Sequence, residues 1–179
     1  MCFHPVEKLS VKNYILETER LILRQPTVDD AAFMLRLVND PSWLQYIGDR
    51  NVHSIDDAQQ YLLNGAIKSF HTNGFGFGMV IIRSTGVTGG MCGFVKRDFL
   101  EDVDLGFAFL PEFTGQGYAY EIANACLQYA KDELKLEKLC AIVTPDNLSS
   151  IKLLKKLGFT LDGFVEHDGE ELALFRHVN

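Results

Sequence analysis

Thr114-Gly115-Gln116-Gly117-Tyr118-Ala119 stands between a strand-like run that ends near Leu110 and an amphipathic helical pattern that runs to about Leu134. A glycine-rich junction of this kind binds anions. Four orphan N–H groups and the positive end of the helix dipole converge there, and two glycines let the main chain approach a ligand without Cβ clashes. The expected ligand is a nucleotide-like cofactor held through its pyrophosphate. A nucleoside-triphosphate loop would need four residues between its glycines and then Lys-Ser/Thr. A dinucleotide fingerprint would need a small residue where Tyr120 stands. Neither spelling fits.

Working outward, Ile122, Ala123, Cys126, Ala130 and Leu134 recur at three- and four-residue spacing, which predicts a helix packed on a sheet. Upstream, Phe75, Phe77, Met79 and Ile81 predict a strand after a turn over His71 to Gly74. Gly90 to Arg97 and Val103 to Leu110 predict two more, joined as hairpins. Gly74, Gly76 and Gly78 read as strand glycines that allow close packing or a bulge, not as a second phosphate loop. Downstream, Leu139 to Val143 is a continuous apolar run, the mark of a strand buried on both faces. Ser149 to Leu157 reads as a helix closed by Gly158, and Phe159 to Val165 with Glu171 to Val178 as a hairpin around His167-Asp168-Gly169-Glu170.

Near the N-terminus, Leu21 to Arg24 predicts a strand. Thr27 with Asp30 predicts a capped helix with Ala31, Met34, Leu35 and Val38 on one face, stopping before Asp40-Pro41. Ser54 with Asp57 repeats the capping signal ahead of Ile55, Ala58, Leu62 and Leu63.

The glycine loop resembles the Gln/Arg-x-x-Gly-x-Gly/Ala loop of the GNAT superfamily of N-acetyltransferases, with Thr114 departing at its first position. Two further motifs follow the family's order. Glu17-Thr18-Glu19-Arg20-Leu21-Ile22-Leu23-Arg24 with Asp29-Asp30-Ala31 resembles the opening of the branch that contains the ribosomal-protein alanine acetyltransferases. Asn147-Leu148-Ser149-Ser150-Ile151 with Lys156-Leu157-Gly158-Phe159 resembles that branch's later elements.

The resemblance implies an α/β fold with a mixed, mostly antiparallel central sheet, helices on both faces and a splayed strand pair that holds the pantetheine arm of acetyl-CoA. It implies one N-acetyltransferase domain over 1–179, its motif-bearing part about 17–178. The cofactor-binding set carried over is Phe107, Ala108 and Phe109 through their backbone, then Thr114, Gly115, Gln116, Gly117, Tyr118 and Ala119, then Asn147 and Ser150. Asn147 either bonds the pantetheine amides or caps the helix from Ser149. The implied reaction is transfer of an acetyl group to a primary amine, a protein N-terminal α-amine or a small-molecule amine, by direct attack in a ternary complex.

The Phe109 N–H is the candidate for polarising the thioester carbonyl. A base must take a proton from the attacking ammonium, yet Val103 occupies the family's carboxylate position. Asp104 and Asp102 flank it. Asp104 is the candidate base, and strand alternation aims it away from the face of Val103, although both aspartates read more readily as solvated surface carboxylates. Leu154 occupies the position of the usual tyrosine acid, which leaves Ser150 as the nearest hydroxyl, with Tyr118 and Tyr120 as alternatives. These two replacements keep a second reading open, a non-catalytic acyl-CoA sensor. Acceptor choice is expected from Trp43 to Val52, the Ser54 helix and the last hairpin.

The chain has 179 residues, 47% of them hydrophobic, enough for one sizeable core. A net charge of −7, from 24 acidic and 17 basic residues, argues against a nucleic-acid partner. Cys2, Cys92, Cys126 and Cys140 are scattered and read as buried reduced thiols, not as a disulfide framework or an acyl-carrying nucleophile. His4, His53, His71, His167 and His177 show no metal-ligand spacing, so no metal is expected. Met1 to Ser10 has no apolar run of leader length, and no stretch reaches the roughly 18 apolar residues of a membrane span. A cytoplasmic monomer or homodimer is the expectation.

Overall fold

A computed structural model describes residues 13–179. Met1 to Ser10, and with them Cys2 and His4, lie outside the described residues. Eight strands form one sheet: β1 (Tyr14–Glu17), β2 (Leu21–Arg24), β3 (Phe77–Ile82), β4 (Thr88–Val95), β5 (Val103–Phe109), β6 (Lys138–Val143), β7 (Thr160–His167) and β8 (Glu170–Val178). Their order is β1-β2-β3-β4-β5-β6-β8-β7. Every neighbouring pair is antiparallel except β5 and β6.

Period-2 alternation divides the strands between two cores. Leu21, Leu23, Val80, Ile82, Cys92, Val103 and Leu105 face one side. There they meet α5 (Tyr118–Asp132) through Ile122, Ala123 and Cys126, and α6 (Leu148–Lys156) through Leu154. Ile22, Met79, Ile81 and Met91 face the other. They are covered by α1 (Ala31–Val38), α2 (Pro41–Tyr46) and α3 (Ile55–Leu62). The mixed, mostly antiparallel sheet with helices on both faces is therefore the architecture of the chain.

The expected caps form. The Thr27 N–H donates to Asp30 Oδ2 at 2.8 Å, and buried Asp30 is held by both terminal nitrogens of Arg24. Ser54 Oγ accepts the Asp57 N–H at 3.1 Å. Three elements depart from the sequence reading. Asp40-Pro41 does end α1, but it also starts α2, because Asp40 caps the Ser42 N–H and proline suits the first helical turn. The α3 helix continues through a π-helical segment (Leu63–Ile67) into α4 (Lys68–Asn73), where a turn is expected. Gly74, at φ +77°, therefore closes a helix instead of lying in a strand. Gly78 does allow close packing: a Cβ there would lie 2.8 Å from the Leu23 side chain.

The sheet opens at one place. The β5–β6 ladder consists of Val103↔Leu139 and Asp104↔Cys140. Beyond it β5 stays with β4 as far as Phe109, while β6 follows β8 to Val143. Each strand leaves the other for its antiparallel partner, and a wedge opens between them.

Candidate active site

The wedge belongs to a cleft of about 1340 Å³. Gly106 to Ala108 of β5, Ala141 to Thr144 at the end of β6, and Asn147 and Ser150 of α6 line one part of it. Trp43, Tyr61, Asp57 and Arg50 from the helical face line another.

Hydrogen-bond direction along β5 decides which backbone groups reach the gap. The Leu110 N–H donates to Gly89 O at 3.0 Å, across to the β4 side. Successive residues of a strand point their N–H groups to opposite edges, so those of Phe109 and Phe107 turn toward β6. Ala108, opposite Met91, presents its backbone to β4. Of the three residues carried over by position, Phe107 and Phe109 offer main-chain groups to the gap, and Ala108 contributes only its place in the lining. The Phe109 side chain is buried in the core under α5.

Past β5, a 3₁₀ turn (Pro111–Phe113) leads into the glycine loop. Gly115 and Gly117 take φ of +73° and +81°, values that glycine tolerates without strain. Thr114 donates both its N–H and its hydroxyl to Pro111 O, and Gln116 Nε2 reaches Glu112 O at 2.8 Å. Their side chains shape the loop from within. The N–H groups of Gly115, Gln116 and Gly117 have no partner among the described residues. Those of Tyr118, Ala119 and Tyr120 precede the first bond of α5, from Glu121 N–H to Gly117 O. The Tyr118 ring lies under Arg20 at 4.7 Å and the Tyr120 ring under Lys156 at 4.2 Å.

At α6, Asn147 caps the helix. Its Oδ1 accepts from the Ser150 N–H at 3.2 Å and the Ser149 hydroxyl at 3.1 Å. The Ser150 hydroxyl has no partner among the described residues and borders the cleft. Leu154, one turn on, is buried.

The carboxylates overturn one expectation. Asp104 is not solvated: it is 2% exposed, and its Oδ2 takes a 2.6 Å ion pair from Arg97 Nε. It sits at the narrow end of the wedge, where β4 and β6 still flank β5 on both sides. Burial pushes its carboxyl up from 3.8 to about 6, against the pull of Arg97. Its Oδ1 is enclosed without a hydrogen-bond partner. The carboxylate does face the cleft, opposite the core side taken by Val103. Asp102 is not free either, being paired with Arg176 and largely buried.

The three thiols among the described residues are free and buried. Cys92 and Cys126 lie 3.7 Å apart, fully buried. Cys126 and burial together raise the Cys92 pKa. Burial, then the charges of Asp104 and Asp102, push the Cys140 thiol up to about 12. No metal-binding cluster occurs among the described residues.

Two participants escaped the sequence reading. Arg97 lies beyond β4 and reaches Asp104 only across the hairpin, off the antiparallel register, which sets Val95 opposite Asp104. Tyr61 borders the cleft from α3, and burial raises its phenol against the pull of Arg50 and Arg97.

Comparison with known proteins is consistent across three measures. The family model for an acetyltransferase (GNAT) domain matches residues 20–160. The uncharacterized N-acetyltransferase YoaA of Bacillus subtilis (strain 168) is 31% identical over 150 residues, 83% of this chain and 84% of that protein. An acetyltransferase from Agrobacterium tumefaciens str. C58 superposes with a TM-score of 0.78 at 26% identity, covering 92% of this chain and 94% of that one. A ribosomal L7/L12 α-N-protein acetyltransferase in complex with coenzyme A shares the fold, with a TM-score of 0.78 at 17% identity over 92% and 97% of the two chains. The chain belongs to the GNAT acetyltransferase family and is an N-acetyltransferase.

Proposed function

We propose that the protein moves the acetyl group of acetyl-CoA to a primary amine by direct attack within a ternary complex. One observation carries the reading: a β5 edge that has left β6, with outward N–H groups at Phe107 and Phe109, leads to a loop in which the amides of Gly115, Gln116 and Gly117 have no partner among the described residues. A pantetheine arm needs backbone pairing along its length, and its diphosphate needs N–H donors at the end.

In this reading Phe107 holds the arm and the Phe109 N–H points at the thioester oxygen. A single well-placed donor of this kind is worth roughly 3 kcal/mol of barrier. Gly115, Gln116, Gly117, Tyr118 and Ala119 hold the diphosphate through their main chain, with Thr114 shaping the loop behind them. Asn147 caps α6 with Oδ1 and keeps its amide nitrogen for the arm. Ser150 donates a proton to the departing thiolate. Asp104, ionised at neutral pH, takes the proton of the attacking ammonium. Because its free oxygen is enclosed, that proton travels through water in the cleft.

Resemblance to the ribosomal-protein branch favours a protein N-terminal α-amine as acceptor over a small amine. The protein acts as a reduced cytosolic enzyme, in keeping with three buried free thiols and with the absence, among the described residues, of any helix long and apolar enough to cross a membrane.

The test is release of free thiol from acetyl-CoA in the presence of peptides with free N-termini, and separately of small amines and polyamines. Acceptor-dependent release is expected. Tight coenzyme A binding with no release above hydrolysis for any acceptor would instead identify an acyl-CoA sensor.

A further inference from the structure

The residues just before β2 grip the glycine loop from outside. Arg20 Nη1 donates to Gln116 O at 2.9 Å, its Nε pairs with Glu121 Oε2 at 2.6 Å, and its guanidinium lies over the Tyr118 ring. Glu121 Oε1 in turn accepts the Arg20 N–H at 2.9 Å and the Thr18 hydroxyl at 2.6 Å. Two residues of the N-terminal motif, Thr18 and Arg20, are thus joined to the loop and first turn of α5, about a hundred positions away in sequence.

Peptide geometry gives this brace a direction. In a trans peptide the carbonyl of one residue and the N–H of the next point opposite ways, and the described chain contains no cis bond. Fixing Gln116 O on Arg20 therefore turns the Gly117 N–H to the other side of the loop. A Cβ on Gly117 would stand 3.3 Å from Arg20 Nη2, so the guanidinium lies directly behind that glycine.

Charge gives the brace a second task. Glu121 sits in the first turn of α5, where a diphosphate would be its neighbour, and an uncompensated carboxylate there would repel it. Burial works to raise the Glu121 pKa, but its bonds from Thr18 and Arg20 outweigh this and keep it below the ordinary value, so it is a carboxylate already matched by a cation.

We infer that Arg20 is a positioning residue for diphosphate binding, which aims the loop amides through Gln116 O and neutralises Glu121 without itself needing to touch the ligand. This rests on the proposed acetyl-CoA site. Arg20 differs from a merely structural residue in one readout: it matters for ligands that carry the diphosphate and not for ligands that lack it.

The experiment is calorimetry with coenzyme A and with pantetheine on wild type, Arg20→Ala, Arg20→Lys and Arg20→Ala/Glu121→Gln, with thermal melts as a fold control. Arg20→Ala should weaken coenzyme A by about 10-fold and pantetheine by less than about twofold. Lysine keeps the charge but loses the fork, so it should recover only part of the affinity. Adding Glu121→Gln to Arg20→Ala should tighten coenzyme A by about threefold, because the stranded carboxylate is removed. Equal coenzyme A affinity in wild type and Arg20→Ala, or equal weakening of both ligands, overturns the inference. A wild-type protein that binds no coenzyme A overturns the donor site itself, and the brace with it.

Discussion

The two ends of the cleft are made of different material. At the end proposed to take the donor, the groups on offer are main-chain N–H groups, held in place by the splay of β5 from β6, two left-handed glycines and an asparagine cap. At the end proposed to take the acceptor they are side chains, Trp43, Asp57 and Tyr61 from the helices, Arg50 from the loop between α2 and α3, and His167 and Glu170 from the β7–β8 hairpin. Backbone chemistry is the same for every residue, so the donor end is constrained in geometry and tolerant in identity. Side-chain chemistry is the reverse. A fold built this way can keep one donor while the acceptor changes, and the same division explains which variants should matter for which ligand.

The largest effect should come from the point where the two ends meet. Asp104→Asn should lower kcat by about 10²- to 10³-fold, in the range of lost general-base catalysis. Because the wild-type carboxyl titrates at about 6, log kcat/KM should climb through that pH and flatten above it, and the variant should lack this limb. Stability has the opposite trend. A folded pKa raised from 3.8 to about 6 means that the contribution of Asp104 to stability is complete below about pH 4 and lost as pH rises through about 6. A fully active variant with an unchanged profile would remove Asp104 as the base.

Gly117→Val probes the donor end alone. A β-branched residue at φ +81°, with Arg20 at its back, forces the loop to move. Coenzyme A should bind about 30-fold more weakly, while equal affinity would show that these amides do not hold the diphosphate. Ser150→Ala should reduce kcat by about 10-fold with coenzyme A affinity within about twofold, and full turnover would exclude the hydroxyl as the acid. The smallest effect is expected at the acceptor end. Tyr61→Phe should raise the acceptor KM by about threefold, the scale of one hydrogen bond, with the coenzyme A Kd unmoved. A Kd that shifts as much as the KM would erase the division between the two ends.

What the sequence revealed follows the same line. Gly115, Gly117, the apolar face of α5 and the Leu139 to Val143 run are local signals, and each lies where its spacing says. The burial of Asp104 is not local: it depends on Cys140 of a strand 36 positions on and on Arg97 across a hairpin. Short elements were also hidden. The four residues of β1 carry no alternation strong enough to announce a strand, and Asp40-Pro41 reads as a stop while serving as a start. The Asp168-Gly169 turn of the last hairpin was legible because both residues need positive φ, which they take at 52° and 80°.

Residue-resolved amide hydrogen exchange with and without coenzyme A tests the donor site most directly. Phe107, Phe109 and Gly117 should slow sharply on binding, whereas Ala108, already turned to β4, should change little. Slowing at Ala108 with none at Phe107 and Phe109, or protection confined to another surface, would contradict the account.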